Sequence, residues 1–479
     1  VTTAGHTSAG PRFGALLSAW LRSARRLAPL AWPVLIGQVA VLAFATVDTI
    51  LVARFAAADL AALAVGGAAY ITIFIGLMGV VVAIGPIAGQ LFGAGQYAQA
   101  GRQVHQAVWL ALGLSLLGSA LLLFPAPFLA LSRATPAVAD KVRGYLMALA
   151  FSLPASLLFS VYRGFNTAVS RPKAVMALQV GGLLLKVPLS MGLVWGVPML
   201  GLPALGVVGC GIATALAMWT QTLLAWHVMR RDRFYDRFQI IGRGLDAPDR
   251  RAIGAQLRLG VPMGASILVE VTGFAFMAFF ISRVGTTAVA GHQVATNLVS
   301  LMFMVPLSIA NASGTLVAQR IGAGDVHDAR HLAWHSLGLG VAVAGVMGSA
   351  VLLGQSLILG LYTRDASVVA AALPLIAWLV VFHVADAAQT IAAFVLRAYR
   401  IATVPVFIYV GALWGVGLGG GYFLAFNVGG GVPAALQGAP GYWFASTSGL
   451  VVAGVALSAF MGWILRSGGP AARGAVQAA

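Results

Sequence analysis

Three carboxylic acids sit where acids are costly. Asp48, Glu270 and Asp386 each interrupt an apolar run, and Glu270 is the only glutamate in the chain. A charged side chain at the centre of a bilayer costs about 2.5–3.5 kcal/mol on insertion scales, so such residues face a cavity and bind or relay ions. A carboxyl group buried without a partner can hold a proton near neutral pH and give it up when water or a cation arrives. A proton or Na⁺ would then compete with an organic cation for one negative site. That competition is the minimum machinery of antiport, because each ligand biases the protein toward a different opening. Glu270 is the most central of the three. Asp48 lies near the end of its span, and Lys186 is the one base inside an apolar run. A structural Asp48–Lys186 ion pair is therefore the alternative reading for that acid.

Other polar residues on the spans are secondary candidates for substrate contact. His383 precedes Asp386 by three residues and Gln389 follows it by three, so all share one helix face. Gln293 and Asn297 lie one helical turn apart. Ordinary interhelical hydrogen bonds are the alternative for each. Tyr70 and Phe274 could stack on a flat cation, or simply pack.

The elements that must position these groups follow from composition. Of 479 residues, 60% are hydrophobic and 9% charged, with a mean hydropathy of +0.93. A soluble domain carries roughly 25% charged residues. The apolar runs are long and continuous, which excludes a transmembrane β-barrel. The expected fold is an all-α polytopic membrane protein with twelve transmembrane helices, the tenth spanning about 368–395. The net charge of +17 is mostly topological. With a cytoplasmic N-terminus, 22 Lys and Arg fall on the cytoplasmic side and 6 on the outer side, which places both termini inside. Nucleic acid is not expected as a partner; the bilayer is. Cys210 stands alone and can form no internal disulfide.

The chain repeats itself. Shifted by 229, Pro33 falls on Pro262, Arg54 on Arg283, Gln90 on Gln319, and Gly93-Ala94-Gly95 on Gly322-Ala323-Gly324. Further on, Tyr162-Arg163-Gly164-Phe165 is matched with Leu396-Arg397-Ala398-Tyr399. Six spans per copy is an even number, so the copies enter the membrane in the same direction, as parallel repeats about an axis near the membrane normal. The expected organisation is a cytoplasmic segment 1–28, an N-lobe 29–229, a basic cytoplasmic linker 230–255, a C-lobe 256–466 and a tail 467–479. Two such six-helix lobes enclose a central cleft. The acids are not duplicated: at the same shift Asp48 meets Met277 and Glu270 meets Val41. No Gly-x-x-x-x-Gly-Lys-Ser/Thr motif is present, so an ion gradient is the expected energy source.

Val47-Asp48-Thr49-Ile50 and the stretch Ala290-Gly291-His292-Gln293-Val294-Ala295-Thr296-Asn297 carry a resemblance to a known family. So do Gly201-Leu202-Pro203-Ala204-Leu205-Gly206 and Asp386-Ala387-Ala388-Gln389. From about Pro33 to Pro405 the chain resembles the multidrug and toxic compound extrusion (MATE) transporters, particularly their bacterial NorM-like branch. The resemblance implies export of cationic, often aromatic compounds in exchange for Na⁺ or H⁺ from a bacterial inner membrane, by a monomer without cofactor. It implies cation coupling at Glu270 and Asp386, which would be the metal ligands if the ion is Na⁺, and an N-lobe proton or substrate pocket at Asp48. The chain departs from the family in reading Lys186 where Asn residues are usual, and His383 where Gln is expected. A lipid-linked precursor flippase of the same superfamily is the alternative within transport. A membrane-embedded enzyme is the alternative outside it, although no His-Glu-x-x-His or Asp-x-x-x-Asp set lies within a span.

Overall fold

The computed structural model describes residues 10–132, 135–242 and 244–467. Arg133, Arg243, Arg473 and the terminal segments 1–9 and 468–479, which entered the charge count and the boundary assignments, lie outside the described residues. Twelve helices are long and apolar enough to cross a membrane: α1 (Ser18–Ala53), α2 (Ala57–Gly93), α3 (Tyr97–Leu123), α4 (Pro136–Ala168), α5 (Pro172–Trp195), α6 (Val207–Arg231), α7 (Arg250–Ile281), α8 (Thr286–Gly322), α9 (Val326–Leu353), α10 (Leu379–Ala398), α11 (Thr403–Ala425) and α12 (Ala439–Ser467).

Local chemistry sets the ends and breaks of these helices. Asp249, Asp325 and Asp365 accept N–H bonds from the first turns of α7, α9 and the short helix Ala366–Ile376, as N-caps. These three aspartates are thereby explained without any catalytic role. α2 is interrupted at Val82–Ala83, four and three residues before Pro86, whose ring cannot pack beneath a continuous turn. The expected tenth span is divided too. Ala366–Ile376 and α10 are separated at Ala377–Trp378, where the backbone tightens and the Trp378 N–H bonds to the Leu375 carbonyl. Within α11, Val410–Gly419 winds as a π-helix, and its four glycines tolerate that wide turn.

Two large apolar cores form. One joins α2, α3, α4 and α6; the other joins α8 to α12 with Met277 and Ile281 of α7. The two copies then meet reciprocally. Leu30 of α1 packs on Ala312 of α8, and Leu259 of α7 packs on Ala83 of α2. These are the same two positions exchanged at the 229 shift. The Gln90 amide donates to the Ala398 carbonyl and the Gln319 amide to the Ala168 carbonyl, each at 2.7 Å. This is the pseudo-two-fold of parallel repeats seen as contacts. One sequence match is corrected. Ala168 and Ala398 both end helices, and Ser170 and Arg400 both follow with positive φ, at 61° and 59°. The late shift is thus 230, and the match of Tyr162-Arg163 to Leu396-Arg397 is about one helical turn out of register.

The basic linker is strapped down rather than loose. Tyr235 donates to Asn166 at 2.6 Å, Phe238 is fully buried, and Trp109 and Gln106 of α3 bond the backbone of Asp246 and Ala247. Arg171 pairs with Asp232 and lies over the Phe234 ring. The Phe234 N–H and Arg171 hold the Asp232 carboxyl below its usual range.

The reciprocal contact predicts a conformational phenotype. A Cβ at Gly93 would stand 1.9 Å from the Gln319 carbonyl oxygen, and one at Gly322 would stand 1.8 Å from that of Gln90. No side chain fits unless the lobes part there. Gly93→Val is expected to open the arginine-rich face, raising the labelling rate of a cysteine placed at Ala94 in a Cys210→Ser background. A tenfold rise corresponds to about 1.4 kcal/mol. An unchanged rate would mean that this contact does not hold the lobes together.

Candidate functional site

The sequence-predicted acids fall into two unlike environments. In the N-terminal repeat, Asp48 of α1 is 5% exposed and Lys186 of α5 is 1% exposed. The Lys186 Nζ donates to Asp48 Oδ2 at 2.7 Å and to Thr214 Oγ1 at 2.7 Å. Ser190 Oγ reaches Asp48 Oδ1 at 3.4 Å, and Nζ lies 4.8 Å from the centre of the Phe44 ring. Asp48 is therefore neutralised and hydrogen-bonded in place. The ion pair raised as the alternative reading is formed.

In the C-terminal repeat, Glu270 of α7 and Asp386 of α10 make no salt bridge among the described residues. One amide connects them. Gln389 Nε2 donates to Asp386 Oδ1 at 2.9 Å and to Glu270 Oε1 at 3.2 Å. Thr390 Oγ1 lies 2.9 Å from the same nitrogen, so three acceptors share the two amide hydrogens. The amide is held this way round by Tyr409 of α11, whose hydroxyl donates to Gln389 Oε1. Gln389 is fully buried, Tyr409 2% exposed and Asp386 4% exposed. Glu270 is half-buried and lines a small cavity of about 20 Å³ with Phe274, Met277, Leu413 and Ser446. Phe274 is braced edge-on by Phe382, with ring centres 6.0 Å apart. Two carboxylates sharing one amide cannot both stay ionised at low cost unless a cation or a proton joins them. The donors are all oxygen, which suits a hard cation.

The remaining candidates lie elsewhere. His383 is fully buried, and neither ring nitrogen has a hydrogen-bond partner, so the interhelical bond expected for it is absent. Gln293 and Asn297 share an exposed face of α8, and Asn297 accepts from Tyr362 at 3.0 Å. Their spacing is helical as expected, but that face turns to Tyr362 and not to the acids. Tyr70 is half-buried, stacks parallel on Phe74 at 5.6 Å and reaches Ser156 at 3.4 Å, so it packs within its own repeat. Tyr409 was not among the candidates, since α11 offers no motif. Arg397 was not weighed either. It lies one helical turn or more beyond Gln389 on α10, within electrostatic reach of Glu270.

Twelve apolar helices among the described residues, in two parallel repeats with two acids that form no ion pair beside a small cavity, fit a polytopic membrane transporter. The MatE family profile matches residues 33–191 and 262–423, and the chain belongs to that family, in its bacterial NorM-like branch. It is 38% identical over 445 residues to a probable multidrug resistance protein NorM of Aromatoleum aromaticum, covering 92% of this chain and 94% of the relative. It is 34% identical to the multidrug resistance protein MdtK of Yersinia pseudotuberculosis, covering 93% and 96%. The fold matches the crystal structure of the eukaryotic MATE transporter AtDTX14 with a TM-score of 0.81 at 19% identity, over 92% of this chain and 96% of that one. It also matches the Vibrio cholerae MATE transporter VcmN in the bent form, with a TM-score of 0.81 at 18% identity, over 94% and 98%.

Proposed function

We propose that this protein exports organic cations in exchange for Na⁺ or H⁺ by alternating access, with Glu270 and Asp386 as the coupling pair. One observation carries the reading. The C-terminal acids converge on a single amide and form no ion pair among the described residues, Arg397 acting on Glu270 only at a distance, while the N-terminal acid is locked to Lys186. A coupling site needs charge that an ion can satisfy, and only the first cluster offers it. Gln389 ties the two carboxylates together, and Phe274 lines the same cavity as Glu270. The lining beside the acids, with Met277 and Leu413, is apolar, which favours an aromatic cation over a large polar lipid precursor once the lobes part.

The membrane arrangement follows from charge. The arginine-rich ends are assigned to the cytoplasm of a bacterial inner membrane. The reciprocal Gln90 and Gln319 contacts hold the repeats together at that end in this state. Cation binding and protonation at the C-terminal cluster then bias the two openings differently. The test is ethidium efflux from proteoliposomes under a Na⁺ gradient alone and a pH gradient alone. Transport under at least one supports the reading, and transport under neither overturns it.

Tyr409→Phe isolates the orienting hydroxyl. The Gln389 oxygen is left without its donor, a loss of about 1–3 kcal/mol for a buried acceptor. The variant is expected to insert normally and to need roughly tenfold more coupling ion for half-maximal efflux. An unchanged ion dependence would show that Tyr409 does not position the amide.

A further inference from the structure

The arginine-rich end of α9 carries a second polar constellation that the transport reading does not use. His327, His331 and His335 follow one another at intervals of four residues and share a face of the helix. His327 and His331 are both exposed, and their Nε2 atoms approach to 3.2 Å. His335 is otherwise engaged, with its Nδ1 2.8 Å from the Ser23 hydroxyl of α1. The neighbouring carboxylate is also engaged. Asp328 accepts from Arg26 at 2.9 and 2.8 Å and forms an ion pair with Arg320 at 3.0 Å.

We propose that His327 and His331 form a binding site for a divalent transition-metal ion, such as Zn²⁺, Ni²⁺ or Cu²⁺, at the junction of α1 and α9. Two metal–imidazole bonds of about 2.0–2.1 Å at tetrahedral or right-angled geometry place their nitrogens roughly 3 Å apart. The observed separation has that size before any ion is added. Two histidines four residues apart on a helix are the ligand pair that His-Glu-x-x-His proteins use for zinc. Imidazole suits Zn, Cu and Ni, whereas Mg²⁺ and Ca²⁺ prefer oxygen and would be excluded. On binding, the ring that donates in the present hydrogen bond moves its proton to Nδ1 and frees Nε2. Solvent completes the coordination, because Asp328 is clamped by the two arginines. Both ligands belong to one helix, so the site persists whichever way the lobes are turned.

The test is calorimetric titration of the full-length, tag-free protein in detergent with Ni²⁺ and with Zn²⁺. One equivalent is expected to bind the native chain. That heat is expected to disappear in His331→Ala and in His327→Ala, and to persist in His335→Ala. Mg²⁺ is expected to give no heat. Both deleted residues are exposed, so the variants should match the native protein in thermal unfolding and in ethidium efflux, which separates this outcome from the transport reading. No binding by the native chain, or equal binding by His331→Ala, would overturn the site.

Discussion

Glu270→Gln is expected to abolish ion-driven ethidium efflux while leaving the protein inserted and folded. The replacement keeps the shape of the side chain and its carbonyl oxygen, so the Gln389 amide still has an acceptor where it now bonds Glu270 at 3.2 Å. What disappears is the charge. Asp386 is then the only acid in the cluster, and it already accepts from Gln389 at 2.9 Å. One carboxylate with a satisfied hydrogen bond no longer requires a bridging ion, so ion arrival and substrate departure lose their common site. Efflux under either gradient is expected to fall by at least tenfold, or about 1.4 kcal/mol of coupling. Asp386→Asn should behave alike, and the double variant should be no worse than either single one, because the two acids act as a unit. Efflux assays in proteoliposomes, with expression and thermal unfolding measured in parallel, decide the matter. Native efflux rates in Glu270→Gln would place coupling elsewhere.

Much of this site was legible in the sequence because the membrane makes charge conspicuous. Glu270, Asp386 and Asp48 stand out from apolar runs by cost alone. Lys186 could be matched with Asp48 because it is the one base in the middle of an apolar run, and it lies in the same repeat. The 229 shift was equally plain, and the fold returns it as the exchanged pairs Leu30–Ala312 and Leu259–Ala83. What failed was whatever depended on direction. Helical spacing joined Gln293 to Asn297 correctly, but periodicity does not say which neighbour a face meets. Tyr409 lies in α11 just before a glycine-rich π-helical stretch, where no pattern marks it, and only packing brings it to Gln389. The late repeat slipped because matching Arg163 to Arg397 outweighed backbone conformation. The left-handed residues Ser170 and Arg400, which fix the true register, look like ordinary polar residues in the sequence.

The two repeats thus share a scaffold and differ in electrostatics. Each carries acid in its interior, but one repeat supplies its own counter-charge and the other forms no ion pair among the described residues. Under the proposed function, the divergence of a few side chains on a duplicated scaffold is what lets one half couple.

Lys186→Ala is expected to be the most destabilising single change in the N-terminal repeat. Lys186 is almost wholly buried and bonds both Asp48 and Thr214 at 2.7 Å. Removing one partner of a buried pair costs about 3–5 kcal/mol, because the other charge stays buried without compensation. The sign of the pH dependence follows. An Asp48 that takes up a proton needs no counter-charge, so the deficit of Lys186→Ala should shrink as pH falls. Asp48→Asn strands the ammonium instead and should also be destabilising. Asp48→Asn combined with Lys186→Met removes both charges and should recover most of the stability, since apolar replacement of a buried pair is often neutral. Because coupling is assigned to the other repeat, the double variant should also retain ion-driven efflux. Thermal unfolding in detergent across pH, with efflux beside it, reads all of these. Single-variant losses that simply add in the double variant would show that the two residues are not coupled. A stable double variant that no longer transports would place Asp48 in the transport cycle after all.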